Sequence, residues 1–448
     1  MQTNGDHRSW LERRPDKPQG DLPTALSLFS GCGGFCEGVE RGGFDVKYAV
    51  EIDQHACATY RHNFPTIPIF QGDVCSFLTE GSDAQPQQIA IQNIDLVFGG
   101  PPCQGFSQIG PRQLDDHRNI LYREYLRIVQ KLRPRVFMME NVPNLILLNK
   151  GHFRDLILRD FGNIGYSNVT YLKVCASDYG VPQDRNRVIF IGTRDEDRFP
   201  HELASFSESV LDDLRLPTPF NVWDAISDLP AKVVPSGKTM PYPEADNCKT
   251  KFQKLMRLDF DFGIYPKAVK RQRGISDGDL LLYNHHTKEM LDRRRKLISH
   301  LKPGFKGDSL PKGIWNGLRP EKWRRLHPER PAYTILAQMH RDLSEWVHPN
   351  LERWITVREA ARLQSFHDGF VFVGSEWQQL KQIGNAVPPL LGAALGRLGL
   401  ALVEELRDAR PHSRRRLPVQ EALALREEAR RMKVNRCRMS SRKQTARR

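Results

Sequence analysis

Six short apolar segments constrain the fold of this chain more than any other feature of its sequence. They are residues 25–29, 46–50, 67–70, 94–98, 135–139 and 188–192. Stretches with helical periodicity, such as residues 121–132, separate them. Strands that alternate with helices are typical of a parallel sheet covered by helices on both faces. We therefore predict an α/β fold with a doubly wound parallel sheet.

Polar and glycine-rich residues follow these predicted strands, at the edge where such sheets bind ligands. The first strand runs into a tight turn, residues 30–34, whose glycines let the backbone approach a cofactor. Glu51 ends the second strand and suits hydrogen bonds to ribose hydroxyls. Asp73 and Glu140 end two more. Each of the three acids has a plainer interpretation: Glu51 as a helix cap, Asp73 as a turn former and Glu140 as a solvated strand end. Their shared position at strand ends nevertheless favours a ligand site.

A cysteine lies just beyond the fourth predicted strand, in Gly99-Gly100-Pro101-Pro102-Cys103-Gln104. A thiol at this edge can face a ligand crevice, and the prolines stiffen the backbone around it. Buried cysteine is most often a small inert hydrophobe. Cys103 is therefore a candidate nucleophile only when it is taken together with the motifs along the chain.

Five motifs occur in order along the sequence. They are Phe29-Ser30-Gly31-Cys32-Gly33-Gly34, Pro101-Pro102-Cys103-Gln104, Glu140-Asn141-Val142, Gln183-Asp184-Arg185-Asn186-Arg187 and Gly384-Asn385-Ala386-Val387-Pro388-Pro389. This order closely resembles the DNA (cytosine-5) methyltransferase family over roughly residues 22–405, apart from a middle segment. The Pro-Pro-Cys-Gln form also differs from the Pro-Pro-Tyr/Phe/Trp signature of amino-group DNA methyltransferases. The resemblance implies a Rossmann-like, S-adenosylmethionine-dependent methyltransferase domain with a smaller, irregular target-recognition domain.

The resemblance assigns the catalytic roles to four residues. Cys103 is the nucleophile whose thiolate adds to carbon 6 of cytosine, which turns the ring into an enamine-like species. Glu140 hydrogen-bonds the ring nitrogen and the exocyclic amine. Arg185 and Arg187, which alternate on a predicted strand and so point the same way, bind the cytosine carbonyl and help to hold the catalytic loop. The base that removes the carbon-5 proton is not identified, and water is one alternative.

The resemblance also implies a binding site for S-adenosyl-L-methionine, with S-adenosyl-L-homocysteine as the product. Glu51 holds the ribose hydroxyls, Asp73 meets the adenine amino group, and Asn385 reaches the methionine portion. The whole assigned set is Phe29, Gly31, Gly33, Glu51, Ile52, Asp73, Leu121 and Asn385. A contact from Asn385 requires the residues after about 378 to return to the large domain and pack beside its first strand.

The resemblance divides the chain into five parts. They are an N-terminal extension (1–21), the catalytic and cofactor-binding domain (22–195), the target-recognition domain (196–377), a returning segment (378–408) and a basic tail (409–448). The middle part contains two basic clusters, residues 267–273 and 293–296, which are either DNA contacts or exposed helix faces. His285 and His286 are adjacent and point apart, so we predict no metal there.

Charge and cysteine usage bound the partners and the compartment. The net charge is +14, and residues 410–448 supply fourteen Arg and Lys against three Glu. That tail is either a solvated helical segment or an arm that adds sequence-independent DNA affinity. No secretory signal is visible, no apolar run approaches the ~18 residues of a membrane span, and the eight cysteines form no Cys-x-x-Cys pair. We expect a cytoplasmic monomer that acts on double-stranded DNA without a membrane or a metal.

The sequence leaves three functions open. The first is methylation of a cytosine flipped out of duplex DNA, with a restriction-modification system as one setting. The second is methylation of tRNA cytosine by the same machinery. The long variable region, residues 196 to about 330, which carries none of the family motifs, disfavours this function. The third is a catalytically silent DNA-binding protein, which the intact set of Cys103, Glu140, Arg185 and Arg187 disfavours.

Overall fold

The computed structural model describes residues 11, 22–79, 93–102, 120–243, 247–257, 281–311, 323–339 and 345–408. Cys103, the basic cluster at 267–273 and the basic tail lie outside these residues. Met1–Asp408 form one compact unit, to which all the described residues belong.

Seven strands form the central sheet. They are β1 (Thr24–Leu28), β2 (Asp45–Glu51), β3 (Ile69–Gln71), β4 (Leu96–Gly99), β5 (Val136–Asn141), β6 (Asn168–Cys175) and β7 (Asn186–Thr193). Their order in the sheet is β3-β2-β1-β4-β5-β7-β6. The first five are parallel, and β7 runs antiparallel to both of its neighbours. The predicted α/β class is confirmed, with a mostly parallel sheet in place of a wholly parallel one.

The strand that the sequence did not predict is β6, at the edge of the sheet. It reads Asn-Val-Thr-Tyr-Leu-Lys-Val-Cys, and most of its residues are only half-buried. An edge strand that is partly solvated carries alternating polar residues, so it lacks the continuous apolar run that marks the inner strands. The inner strands are mostly apolar because helices cover both faces: Leu26 and Leu28 pack into one core, while Ala25 packs into the other.

The helices follow the strands in the predicted alternation. They are α1 (Gly34–Arg41), α2 (Gln54–Asn63), α3 (Ile120–Leu132), α4 (His152–Asn163), α5 (Leu203–Leu214), α6 (Val222–Ile226), α7 (Lys251–Arg257), α8 (Asp292–Ile298), α9 (Val357–Leu363), α10 (Glu376–Asn385) and α11 (Pro389–Asp408). Two small ladders lie in the middle of the chain, β8 (Met240–Pro241) with β9 (Leu281–Leu282) and β10 (Trp323–Arg325) with β11 (Glu345–Val347).

The last helix, α11, packs backbone to backbone on α1. A Cβ built on Gly38 would lie 2.5 Å from the Cα of Gly392, and one built on Gly42 would lie 2.6 Å from the Cα of Gly396. Glycines at these four positions therefore allow the two helices to touch. The stretch Glu376–Asp408 is long and apolar enough to cross a membrane, but 83% of its most apolar window is buried inside the protein. That degree of burial is typical of a core helix.

Helix α9 connects the middle of the chain to the sheet domain. Arg362 is fully buried and its Nη1 lies 2.5 Å from Asp228 Oδ1, while its Nη2 lies 2.6 Å from Asp368 Oδ2. The chain beyond α9 reaches α2, where the Asn63 side-chain amide donates to the Val371 carbonyl at 2.9 Å. These contacts fix the middle region against the elements that carry the site.

Candidate active site

A cavity of about 670 Å³ opens at the carboxyl edge of the sheet. It lies where the strand order reverses, between β1 and β4, which is the usual ligand position in open α/β sheets. Its wall includes most of the residues that the sequence singled out: Phe29, Gly31, Glu51, Ile52, Asp73, Leu121, Glu140, Arg185, Arg187 and Asn385. Gly33 does not line it. Cys103 lies outside the described residues, but Pro101 and Pro102, directly before it, belong to the wall.

The glycine turn after β1 forms the floor of the cavity. Phe29 has a φ of 54°, a conformation that costs a non-glycine residue about 1 kcal/mol or more, and it ends the strand. Gly31 has a φ of 56° and no atom within 4 Å of where a side chain would begin, so its backbone is open to a ligand. Gly33 serves packing instead, since a Cβ there would lie 2.3 Å from the Phe64 ring.

Glu51 is held firmly at the end of β2. Its Oε2 accepts from the Gly31 N–H at 2.7 Å, and its Oε1 accepts from the N–H groups of Ile52 and Asp53 at 2.9 and 2.8 Å. Burial raises the pKa of Glu51 even though these donors oppose the shift. The carboxylate therefore fixes the glycine turn and keeps lone pairs for a hydroxyl donor in the cavity.

Glu140 and Arg187 form an ion pair on the opposite wall. Arg187 Nε lies 2.6 Å from Glu140 Oε1, with 11% and 13% of the two side chains exposed. A Cβ on Gly100 would lie 2.8 Å from Glu140 Oε2, so the carboxylate packs closely over this glycine and would have to shift if a side chain were added there. The arginine orients the carboxylate at the place where the turn toward Cys103 begins.

Asn141 is a site residue that belongs to a sequence motif but had no role assigned from the sequence. Its side-chain amide donates to the Pro101 carbonyl at 3.1 Å, and its Oδ1 accepts from the Val142 N–H at 2.9 Å. The first contact holds Pro101 against the end of β5, and the second fixes the orientation of the Asn141 amide. The position of Asn141 directly after Glu140 was the available signal.

Arg185 lies just before β7 and makes a different set of contacts from Arg187. Its Nη1 donates to the Ile335 carbonyl at 3.0 Å and its Nη2 donates to the Gly384 carbonyl at 2.9 Å. The side chain is buried, and desolvation together with the charge of Arg187 lowers its pKa well below the ordinary value. Arg185 thus joins three distant segments at the cavity wall, whereas Arg187 faces Glu140.

Two buried glutamines extend this junction: Gln183, which belongs to a sequence motif but had no role assigned, and Gln364, which the sequence analysis missed. Gln183 Oε1 accepts from the Ile335 N–H at 3.0 Å, and its amide donates to Gln364 Oε1 at 2.6 Å. Gln364 in turn donates to the Ala386 carbonyl at 2.8 Å. The pair links the segment after the variable region to the C-terminal wall of the cavity.

Two described cysteines near the cavity, Cys32 and Cys36, have thiols that ionise poorly. Desolvation raises the pKa of Cys32 far above its usual range and that of Cys36 to about 12. In the described ranges no group of three or more His, Cys, Asp and Glu side chains could hold a metal ion. His285 has a structural setting, with its Nε2 2.8 Å from the Pro230 carbonyl and its Nδ1 3.2 Å from Thr356 Oγ1.

Comparison with known proteins agrees with this architecture. The family model for C-5 cytosine-specific DNA methylases matches residues 24–398. The type II methyltransferase M.AgeI of Thalassovita gelatinovora is 35% identical over 423 residues, covering 83% of this chain and 97% of that protein. M.DdeI of Desulfomicrobium norvegicum is 32% identical over 395 residues, covering 83% of this chain and 86% of that protein.

Solved structures show the same fold. An E. coli prophage protein assigned as a DNA modification methyltransferase superposes with a TM-score of 0.67 at 29% identity, covering 85% of this chain and 99% of that one. DNMT2 of Spodoptera frugiperda, at 15% identity and a TM-score of 0.50, shares the fold alone, over 85% of this chain and 99% of its own.

The sheet order, the glycine turn after β1 and the cavity at the switch point define a Rossmann-like methyltransferase, as the sequence predicted. The family match over residues 24–398 makes the class specific. The chain belongs to the C-5 cytosine-specific DNA methylase family.

Proposed function

We propose that the protein transfers a methyl group from S-adenosylmethionine to carbon 5 of a cytosine flipped out of duplex DNA, through a covalent adduct with Cys103. One observation carries the proposal. A single cavity brings the carboxylates of Glu51 and Asp73 together with the Glu140–Arg187 pair and the turn that leads to Cys103. Cofactor and target base would therefore meet in one cavity.

The cofactor half of the cavity suits S-adenosylmethionine. Glu51 would accept from the ribose hydroxyls, Asp73 from the adenine amino group, and the open backbone at Gly31 leaves room for close approach. Ile52 presents an apolar side chain, 66% exposed, that would cover the flat face of the adenine. When bound, this cofactor supplies an electrophilic methyl group on a sulfonium.

The other half suits a cytosine. The Cys103 thiolate would add to carbon 6, which makes carbon 5 nucleophilic. Glu140, oriented by Arg187, would hydrogen-bond the ring nitrogen and the exocyclic amine and stabilise the charge that develops there. Carbon 5 would then take the methyl group and S-adenosylhomocysteine would leave. Loss of the carbon-5 proton would finally break the bond between carbon 6 and sulfur and release the Cys103 thiolate. These atoms lie inside the duplex in stacked DNA, so the base must be extruded.

Further proposals concern the rest of the chain. We propose that residues 196–377 form the target-recognition domain and that residues 196–330 select the DNA sequence. The relatives reported above are type II methyltransferases, so a restriction-modification system in a bacterial cytoplasm is the proposed setting. We propose that the protein works there as a monomer, and that its basic tail adds DNA affinity without specificity.

Transfer of tritium from labelled S-adenosylmethionine tests the proposal. Label should enter duplex DNA and not tRNA, and it should lie at carbon 5 of cytosine. Labelled tRNA would favour the second function that the sequence left open. No transfer to either nucleic acid, with DNA binding intact, would favour the silent DNA-binding protein.

Glu140→Gln is expected to lower kcat about 100- to 10,000-fold, the range for loss of an acid–base group. The substitution keeps the shape of the side chain but removes its charge and its pairing with Arg187. Single-turnover methylation measures the effect. Glu124→Gln is the matched control, because Glu124 also pairs with an arginine, Arg127 at 2.6 Å, on α3. Equal losses in the two variants would contradict the role of Glu140.

Glu51→Ala is expected to weaken S-adenosylmethionine binding by about 1.5–3 kcal/mol, the scale of hydrogen bonds to a charged group. DNA binding without cofactor should change little. Calorimetric titration with the cofactor measures this, and Asp45→Asn, at the other end of β2, serves as the control. Unchanged cofactor affinity would show that Glu51 serves the glycine turn alone.

A further inference from the structure

The two walls of the cofactor half come from distant parts of the chain. One wall contains Glu51 and Ile52 at the end of β2, and the other contains Asn385 at the end of α10. The Lys381 Nζ, on α10, donates to Asp53 Oδ2, just after β2, at 2.7 Å. This bond joins the two walls at the rim of the cavity. We call the pair Asp53–Lys381 the rim latch.

Asp53 has a defined geometry on its side of the latch. Its Oδ1 accepts from the N–H groups of His55 and Ala56 at 2.9 and 3.2 Å and so caps α2. Its backbone N–H donates to Glu51 Oε1 at 2.8 Å. One residue thus connects Lys381 to the carboxylate that we assign to the ribose.

Lys381 is equally well placed on its own helix. It precedes Asn385 by four residues, so the two side chains lie on the same face of α10. Its ammonium also lies 5.7 Å from the centre of the Trp377 ring. A second contact, between the His55 and Gln378 side chains, runs parallel to the latch. Lys381 and Gln378 therefore hold the side of α10 that faces Asp53 and His55, one helical turn before Asn385.

The latch contributes little to the stability of the fold. About a third of each side chain is exposed, 36% for Lys381 and 30% for Asp53. Pairs of this kind contribute roughly 0–1 kcal/mol. The helix is already anchored elsewhere, since the Gln382 side chain donates to the Val373 carbonyl at 3.0 Å. The place of the latch at the cavity rim matters more than its strength.

We propose that Lys381 is a positioning residue, which holds Asn385 against the Glu51 wall and thereby sets the affinity for the cofactor. This inference rests on the proposed function, because it takes the cavity to be the cofactor site. A purely electrostatic role would act differently. S-adenosylmethionine carries one positive charge more than S-adenosylhomocysteine, so a lysine that acted through charge would affect the two ligands unequally. A lysine that acts through position affects both alike.

Calorimetric titration of the full chain with each ligand tests the proposal. Lys381→Met should raise the Kd for both ligands about two- to fivefold, the fold-change expected for a partly exposed ion pair. KM for S-adenosylmethionine should rise by a similar factor while kcat stays unchanged. The difference from the parent protein should shrink in 1 M salt, which screens the pair. Lys381→Arg, which retains the charge and the reach, should restore the parent affinity.

Lys47→Met is the matched control. Lys47 pairs with Asp45 at 2.5 Å on the same strand, β2, and neither residue lines the cavity. Equal affinity of parent and Lys381→Met for both ligands would overturn the latch, as would equal weakening by Lys47→Met. A change in Kd for S-adenosylmethionine alone would show that Lys381 acts through its charge and would overturn the positioning role. A parent protein that binds neither ligand would refute the proposed cofactor together with the latch.

Discussion

A Cys103→Ser protein is expected to bind DNA and to form no covalent complex with it. In duplex DNA that carries 5-fluorocytosine at the target position, the parent protein should be trapped with S-adenosylmethionine, because fluorine cannot leave carbon 5 as a proton does. A serine hydroxyl is far less ionised than a thiol and adds poorly to carbon 6. Turnover on ordinary DNA should fall on the order of 1,000-fold or more, as when other nucleophiles are removed.

The contacts of the residues just before Cys103 support its choice as the proposed nucleophile. Asn141 holds the Pro101 carbonyl at 3.1 Å, and the Glu140 carboxylate crosses Gly100. Pro101, two positions before Cys103 in the sequence, is therefore fixed to the wall bearing the Glu140–Arg187 pair. Cys32, which also belongs to a family motif, is buried, and its thiol is kept protonated because burial raises its pKa.

Denaturing electrophoresis of the trapped complex measures the effect. Cys248→Ser is the control, because Cys248 is a half-buried thiol that does not line the cavity. It should trap as well as the parent protein. Trapping by Cys103→Ser at the parent level would exclude Cys103 as the nucleophile.

Gly38→Ala is expected to destabilise the protein by about 1–3 kcal/mol or more, the cost of overpacking a core. The added Cβ would lie 2.5 Å from the Cα and carbonyl carbon of Gly392. These are backbone atoms, so the clash can be relieved only by moving α11 away from α1. Because α1 follows the glycine turn directly, cofactor affinity should fall with stability.

The midpoint of urea unfolding measures the change, and the structure supplies a graded series. Gly392→Ala should cost less, because its Cβ would meet Gly38 Cα at 3.1 Å. Gly162→Ala is the control: this glycine lies in α4 with no atom within 4 Å, and alanine there should stabilise the helix by up to about 1 kcal/mol. Equal midpoints for the Gly38 and Gly162 variants would show that the two helices separate freely.

Local sequence patterns were sufficient to predict every strand of the central sheet except β6. The first strand ends one residue earlier than expected, because Phe29 takes a φ of 54° and leaves the extended conformation. The third begins at Ile69, since Pro68 has no N–H to give to the ladder and only its carbonyl accepts, from Ala49 at 3.1 Å. Both shifts come from backbone constraints that an apolar run does not reveal.

The contacts between distant segments could not be predicted in this way. The motifs indicated Glu140 and Arg187 together, but not that Arg185 would bond to the carbonyls of Ile335 and Gly384. Asp53 and Lys381 are separated by 328 positions, and no local pattern relates them. The four-residue spacing of Gly38 and Gly42 is visible in the sequence, but the sequence does not show that α11 packs against these two glycines. Such pairings are decided by the packing of the whole domain.

The crossing of α1 and α11 has a consequence for biosynthesis. A ribosome makes α1 early and α11 late. The contact from Cys32, just before α1, to the carbonyl of Gln382, in α10, already spans 350 positions. At ordinary rates of translation that interval lasts roughly 20 to 70 seconds. Throughout it the glycine face of α1 has no partner helix, and the cavity lacks the wall formed by Gly384–Val387. A nascent chain therefore cannot assemble this cavity from its N-terminal part alone, and a ribosome-bound chain completes the cavity only after nearly all of its family region has emerged.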